Sequence, residues 1–325
     1  MPTADQVKAL IRSHADGDDS RFYAVAMQVA AQAARTGHHK FAQELRKLVD
    51  SAKTREASIA RLKPVPLVQP RGELAGLLTV AYPKTRLADM ALDTTVADRV
   101  QRVLLEQRQQ QRIKQHGLPP LRKLLLLGPP GTGKTMTAAA LAGELGFPLF
   151  AIQLDGLITK YMGETAAKLR LIFDAVQQTV AVYLFDEFDA LGGERGTKND
   201  VGEIRRVLNS FLQFLEQDES DSLIIAATNH AQLLDRAVFR RFDMVIHYGL
   251  PSKSAAETVM KGRLALLDTA QVEWPTVVAA AEGLSHAEIA RACEQAAKNV
   301  ILDHRTAIDT GALVATLDER RATDA

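Results

Sequence analysis

One cysteine, one tryptophan, 5% aromatics, no surplus of charge of either sign and no long apolar run are the first features of this 325-residue chain. A lone Cys293 cannot close an internal disulfide, so no framework of staples holds the fold. Lys and Arg total 40 against 39 Asp and Glu, which removes the positive field that draws proteins non-specifically onto nucleic acids or acidic membranes. The most apolar stretches are short: residues 124–127, and residues 23–34 interrupted by Gln28 and Gln32. A bilayer span needs about 18 to 20 such residues, so no membrane segment is expected. Residues 1–6 carry neither a basic start nor an apolar core of a secretory signal, and the expected location is the cytoplasm.

What is present is ordinary globular material, 46% hydrophobic and 24% charged, enough for two or three domains. Residues 1–62 read as helices only: Thr3 and Gln6 form a capping-box pattern, Phe22, Val25, Val29 and Ala33 recur at helical spacing, Gly37 interrupts, and Phe41, Leu45 and Leu48 resume. Pro64, Pro66 and Pro70 oppose helix and central strand alike, and residues 63–85 are read as an extended linker. From residue 86 to 250 short runs rich in Leu, Val, Ile and aromatics (124–127, 149–152, 180–185, 223–227, 244–248) alternate with helical segments. That alternation predicts an α/β domain with a largely parallel central sheet covered on both faces. Residues 251–325 have helical periodicity alone and are read as a compact helical lid.

Gly128, Pro129, Pro130, Gly131, Thr132, Gly133, Lys134 and Thr135 match G-x-x-x-x-G-K-[ST] between an apolar run and an Ala-rich helical stretch. This is the strand–loop–helix setting a P-loop requires: glycines let backbone N–H groups approach phosphates, and the helix N-terminus adds partial positive charge. Lys134 is expected to contact the β- and γ-phosphates of ATP, and Thr135 to bind Mg²⁺. The run 180–185 ends in Asp186 and Glu187, two carboxylates where parallel sheets put ligands. Asp186 suits holding Mg²⁺ through the metal's bound waters, and Glu187 suits positioning and polarising the attacking water.

With these two motifs in order and spacing, residues 86–305 resemble the AAA-type ATPases of the P-loop NTPase class. The resemblance implies ATP and Mg²⁺ as cofactors and assigns further residues. Asn229, at the end of the apolar run 223–227, resembles the sensor-1 asparagine that orients the lytic water, although Asn at a strand end is often a turn residue. Arg240 and Arg241 match the family's arginine fingers in a short form without the Pro-Gly insertion, and would act on a neighbouring subunit's γ-phosphate. The alternative for the pair is a surface ion-pair role, and Arg236 is read as structural. Lys160, Tyr161, Met162 and Gly163 resemble the aromatic–hydrophobic–glycine pore loop, with Tyr161 gripping an extended polypeptide; the competing reading packs Tyr161 and Met162 in a core. Residues 192–200 are a second pore loop or a plain connector. Residues 283–289 resemble the sensor-2 region with His286 where the family often has glycine, and Leu92 stands for the common glycine in residues 89–92, the segment that closes on adenine.

Two features invite a different reading. Residues 99–123 are locally basic, yet without interleaved aromatics they are read as a solvated face or subunit contact, and nucleic acid is disfavoured. His38 and His39 lack a convincing set of companion ligands. The resemblance therefore implies an oligomeric ATPase, a hexameric ring by family, that remodels or threads a protein substrate, with residues 1–62 binding a partner. The alternative is an ATP-driven switch controlling an effector such as a protease, as in small bacterial AAA proteins that accompany subtilisin-like proteases in plasmid-maintenance or phage-defence modules; a DNA-dependent ATPase is the third.

Overall fold

In the computed structural model the described residues are 70, 72–157, 162–191 and 198–323, together with helical positions 25–27, 29, 30, 33, 42, 43 and 47. The chain divides into two units, Met1–Pro66 and Leu67–Ala325. In the first, Ala26, Val29, Ala30, Ala33 and Ala42 are buried helical positions, small residues at a spacing that lets helices approach closely.

The second unit begins with a single 3-10 turn, Gly72–Gly76, and strand β1 (Leu78–Ala81). Residues 63–85 are thus not a linker throughout. The prolines lie before residue 72 and at Pro83, and Leu78 and Val80 between them carry the alternating pattern of a half-buried edge strand. Helices α1 (Thr94–Arg108) and α2 (Gln110–Gln115) lead to β2 (Lys123–Leu127), all five of whose residues are buried. Then follow α3 (Lys134–Leu145), β3 (Leu149–Ile152), α4 (Leu154–Leu157), α5 (Met162–Gln178) and β4 (Val182–Phe185). The sheet is completed by α6 (Lys198–Gln217), β5 (Leu223–Thr228), α7 (Arg236–Phe239) and β6 (Met244–His247).

The six strands lie in the order β1-β3-β4-β5-β2-β6; β1 is antiparallel to β3 and every other pairing is parallel. Fully buried strands such as β2 and β5, apolar but for Lys123 and Thr228, are what a parallel sheet covered on both faces demands. One face carries a knot of aromatic rings: Phe211 of α6 packs edge-on to Phe185 at 4.9 Å between centroids and meets Phe188 at 4.9 Å. These contacts hold the end of β4 rigid just where its carboxylates emerge.

Beyond the sheet lie α8 (Lys253–Arg263), α9 (Trp274–Ala280), α10 (His286–Leu302) and α11 (Thr310–Thr323), with a separate core that includes Met260, Val277, Ile289, Cys293 and Leu313. α10 starts on a reciprocal cap: Ser285 accepts from the Glu288 amide, and Glu288 accepts from the Ser285 amide. Among the described residues no helix is long and apolar enough to cross a membrane.

Candidate active site

The carboxyl ends of β4, β5 and β2 lie side by side, because Phe185 is in register with Ala226 and Leu127 with Thr228. The residues that follow each strand, Asp186 with Glu187, Asn229, and Gly128, therefore meet at one rim. The Gly128 amide donates to the Thr228 carbonyl at 3.3 Å. A Cβ at Gly128, where φ is 151°, would sit 2.2 Å from the Tyr248 carbonyl oxygen, so glycine is required there. The loop bends through Gly131 (φ 72°) and Gly133 (φ 100°) into α3. Its shape is braced by Thr132, whose hydroxyl donates to the Pro129 carbonyl at 2.8 Å, and by a buried hydrogen bond between Thr137 and Tyr248 at 2.7 Å.

Lys134 is 5% exposed, and its ammonium donates to the Gly128 and Pro129 carbonyls at 2.8 Å each. Burial holds its pKa below the ordinary lysine range, against the opposing pull of Asp186 and Asp189. Thr135 donates its hydroxyl to Asp186 Oδ2 at 2.6 Å, and the other oxygen of Asp186 accepts from the Glu187 amide at 2.9 Å. Two hard oxygens thus stand together at the helix N-terminus. Among the described residues no group of three or more His, Cys, Asp or Glu gathers to hold a metal alone. The pair fits Mg²⁺, which keeps several waters and takes one or two protein oxygens with substrate phosphates. Glu187 is exposed and held at φ 50°, one of two non-glycine residues in the left-handed region among those described. Strained backbone of this kind clusters at functional sites.

Some neighbours were not readable from motifs. Asp189 accepts from the Thr228 hydroxyl at 2.6 Å, which fixes the turn carrying Asn229, and the same hydroxyl accepts from the His230 amide. The lid also reaches the loop: the Ala287 amide donates to the Gly131 carbonyl at 3.0 Å, and a Cβ at Gly131 would lie 2.6 Å from Ser285 Oγ. His286 Nε2 is 3.0 Å from the Ala91 carbonyl, and Met90 closes over Gly133, its terminal carbon 3.5 Å from where a Cβ would be. The segment expected to close on adenine and the sensor-2-like segment are thus brought together by a bond between positions 195 residues apart.

Arg240 and Arg241 are not brought to this rim. They precede Asp243, whose amide donates to the Lys123 carbonyl at the opposite end of β2 from Gly128. A five-residue strand rising about 3.3 Å per residue separates those ends by about 13 Å. Arg241 instead donates to the Ala237 carbonyl, and its Nε approaches Glu216 Oε1 at 2.5 Å without the alignment of a hydrogen bond. Arg240 is exposed. Lys160 and Tyr161 lie outside the described residues, as do residues 192–197, His38 and His39, while Met162 and Gly163 open α5. The basic run is largely engaged internally: Arg99 donates to the Val245 carbonyl, and Arg102, Arg108, Lys114 and Arg122 pair with Glu106, Glu144, Asp221 and Asp218.

A glycine-rich loop between an inner strand of a mostly parallel sheet and a helix N-terminus, beside a carboxylate pair, defines a P-loop ATPase. Residues 124–250 match the family model of the ATPase family associated with various cellular activities, AAA. The chain is 36% identical over 311 residues to an uncharacterized AAA family ATPase, y4kL, of Sinorhizobium fredii, covering 94% of this chain and 91% of that one. It is 33% identical over 215 residues to the proteasome-activating nucleotidase of Methanoregula boonei (64% of this chain, 49% of that one). It is 31% identical over 233 residues to ATP-dependent zinc metalloprotease FtsH 3 of Sphaerobacter thermophilus (70% and 48%). The chain spans about half the length of these last two relatives. It belongs to the AAA family, and it hydrolyses ATP.

Proposed function

We propose that the chain acts as a head-to-tail oligomer, a hexameric ring in its working form, that couples ATP hydrolysis to remodelling or threading of a protein substrate. The observation that carries this reading is the separation of Arg240 and Arg241 from their own phosphate loop by the length of β2. An arginine side chain cannot bridge that gap, so fingers at these positions would act on a neighbour's site and not on their own.

In that arrangement the amides of residues 131–135 and Lys134 bind the phosphates of ATP, Lys134 exchanging its carbonyl partners for phosphate oxygens. Thr135 and Asp186 would hold Mg²⁺, which when bound neutralises charge on the β- and γ-oxygens. Glu187 orients the attacking water and accepts its proton, Asn229 fixes the water from the adjacent strand, and the neighbour's Arg240 and Arg241 stabilise charge in the transition state. Residues 86–250 form the catalytic body, residues 251–325 the lid, and residues 1–62 recruit a partner. Lys160, Tyr161, Met162 and Gly163 supply the grip on polypeptide. Relatives that bear the names proteasome-activating nucleotidase and ATP-dependent zinc metalloprotease support an output on proteins. The second reading is an ATP-driven switch that controls an effector such as a protease, which the relative named ATP-dependent zinc metalloprotease supports.

Mixing variants tests the shared site. Glu187→Gln and Arg241→Ala should each lower the ATPase rate by about a hundredfold or more. Combined in equal amounts, random assembly gives about one site in four an intact Glu187 with an intact neighbouring Arg241, so about a quarter of the wild-type rate returns. A specific rate independent of protein concentration, with no recovery on mixing, would overturn the ring and favour a self-contained switch.

A further inference from the structure

Tyr248, the residue that follows β6, is held at the phosphate loop through both its backbone and its side chain. Its amide donates to the Leu127 carbonyl at 2.6 Å, its own carbonyl fills the space where Gly128 would carry a Cβ, and its phenol reaches Thr137 of α3 at 2.7 Å. Thr137 is buried, and its hydroxyl also lies 3.0 Å from the Gly133 carbonyl, which takes the Thr137 amide at 2.8 Å as well. The chain then leaves the sheet: a Cβ at Gly249 would meet nothing within 4 Å, Leu250 is exposed, and Ser252 caps α8, the first helix of the lid. Tyr248 is therefore the last fixed point before the lid, and the lid returns to the same loop where Ala287 of α10 bonds Gly131.

Only one order of protons satisfies this chain of bonds. The Gly133 carbonyl only accepts, so the single hydroxyl proton of Thr137 goes to it, and Thr137 Oγ1 accepts from Tyr248. Burial pushes the Tyr248 phenol up to about 12, against the opposing pull of the Thr137 bond, so the proton it gives is in place at any working pH. The carbonyl at the end of the chain belongs to the peptide that opens α3. In a planar trans peptide the carbonyl and the N–H point in opposite directions, so holding the Gly133 oxygen toward Thr137 aims the Lys134 N–H out of the helix start, where phosphates rest. Two apolar side chains of the same shape would fill this buried contact at little cost in stability and would orient nothing, so what the hydroxyls add is direction.

We propose that Tyr248 and Thr137 are positioning residues of the ATP site, their hydroxyls fixing the Gly133–Lys134 peptide for phosphate binding and tying it to the root of the lid. The chain of bonds serves ground state and transition state alike, so its loss falls on KM and on nucleotide affinity and not on kcat. This inference rests on the P-loop reading, since it assumes that phosphates bind along residues 131–135.

The test is steady-state phosphate release by the full chain, together with displacement of a fluorescent ATP analogue by ADP, in Tyr248→Phe, Thr137→Val and their combination. Tyr248→Phe keeps the ring and leaves Thr137 bonded to Gly133; it should raise KM and weaken ADP by a common factor of about three to ten, with kcat held within about twofold. Thr137→Val removes both hydroxyl bonds and should do more, and the double variant should be no worse than Thr137→Val alone, because the two substitutions break one chain. Thr137→Ser, which restores a hydroxyl, should recover most of the loss. A merely structural role would lower the active fraction, and with it kcat alone. Unchanged KM and ADP affinity in Tyr248→Phe, or effects that multiply in the double variant, overturn the assignment and leave the P-loop reading intact. Affinity for ADP that survives Lys134→Ala undiminished overturns the P-loop reading, and this assignment with it.

Discussion

Glu187 is held at φ 50°, a conformation that costs a side-chain-bearing residue about 1 kcal/mol and glycine almost nothing. Glu187→Gly is therefore expected to hold or raise the melting temperature while removing hydrolysis, a pairing that calorimetry and a phosphate-release assay read directly. His286 makes a prediction with a definite sign. Its folded pKa lies below 6.5, so the unfolded state binds more protons as the pH falls, and the stability this neutral ring contributes is present above pH 6.5 and lost as pH drops through the folded value. Thermal unfolding at pH 7 and pH 5 should show a larger loss for wild type than for His286→Gln; equal losses would exclude a buried neutral imidazole. Residues 128–135 and 186–187 were legible because each group is contiguous and follows an apolar strand. The bond from Asp189 to Thr228 and that from His286 to Ala91 join positions 39 and 195 residues apart, and nothing local to either partner signals the other.

Helix α3 shows how an element's packing overrides its propensities. Alanine is favoured over glycine in a helix interior by about 1 kcal/mol, which alone would make Gly143→Ala stabilising. A Cβ there would lie 2.2 Å from the Thr85 carbonyl oxygen and 3.0 Å from that of Pro83, and the Gly143 carbonyl accepts from Arg86 at 2.5 Å. The segment leading toward Met90 and Ala91 would have to move, so a net destabilisation of about 1–3 kcal/mol is expected, measured as a lowered melting temperature. In α10, burial pushes the Cys293 thiol up to about 12, and Cys293 should resist thiol reagents at pH 8 until the chain is unfolded. The parallel strands and the lid helices were readable from their periodicity. Strand β1 was not, since four residues between prolines average into a spacer, and only its pairing with β3 makes it a strand.

At the scale of the whole molecule, the sheet core and the lid core are built from separate residues, joined at the phosphate loop by the bond from Ala287 to Gly131. The class of fold was visible in the alternation of runs; the position of Arg240 and Arg241 was not, because sequence order says nothing of which end of a neighbouring strand a turn lies beside. That position has an arithmetical consequence if the arginines serve a neighbour. Each subunit then has a donor side and an acceptor side, and a row of n subunits contains n − 1 complete catalytic centres, with one arginine pair and one phosphate loop left over at its termini. Only closure joins the leftovers, so the last subunit to enter supplies two contacts where every earlier one supplied a single one, and incomplete assemblies are penalised in activity and in stability together.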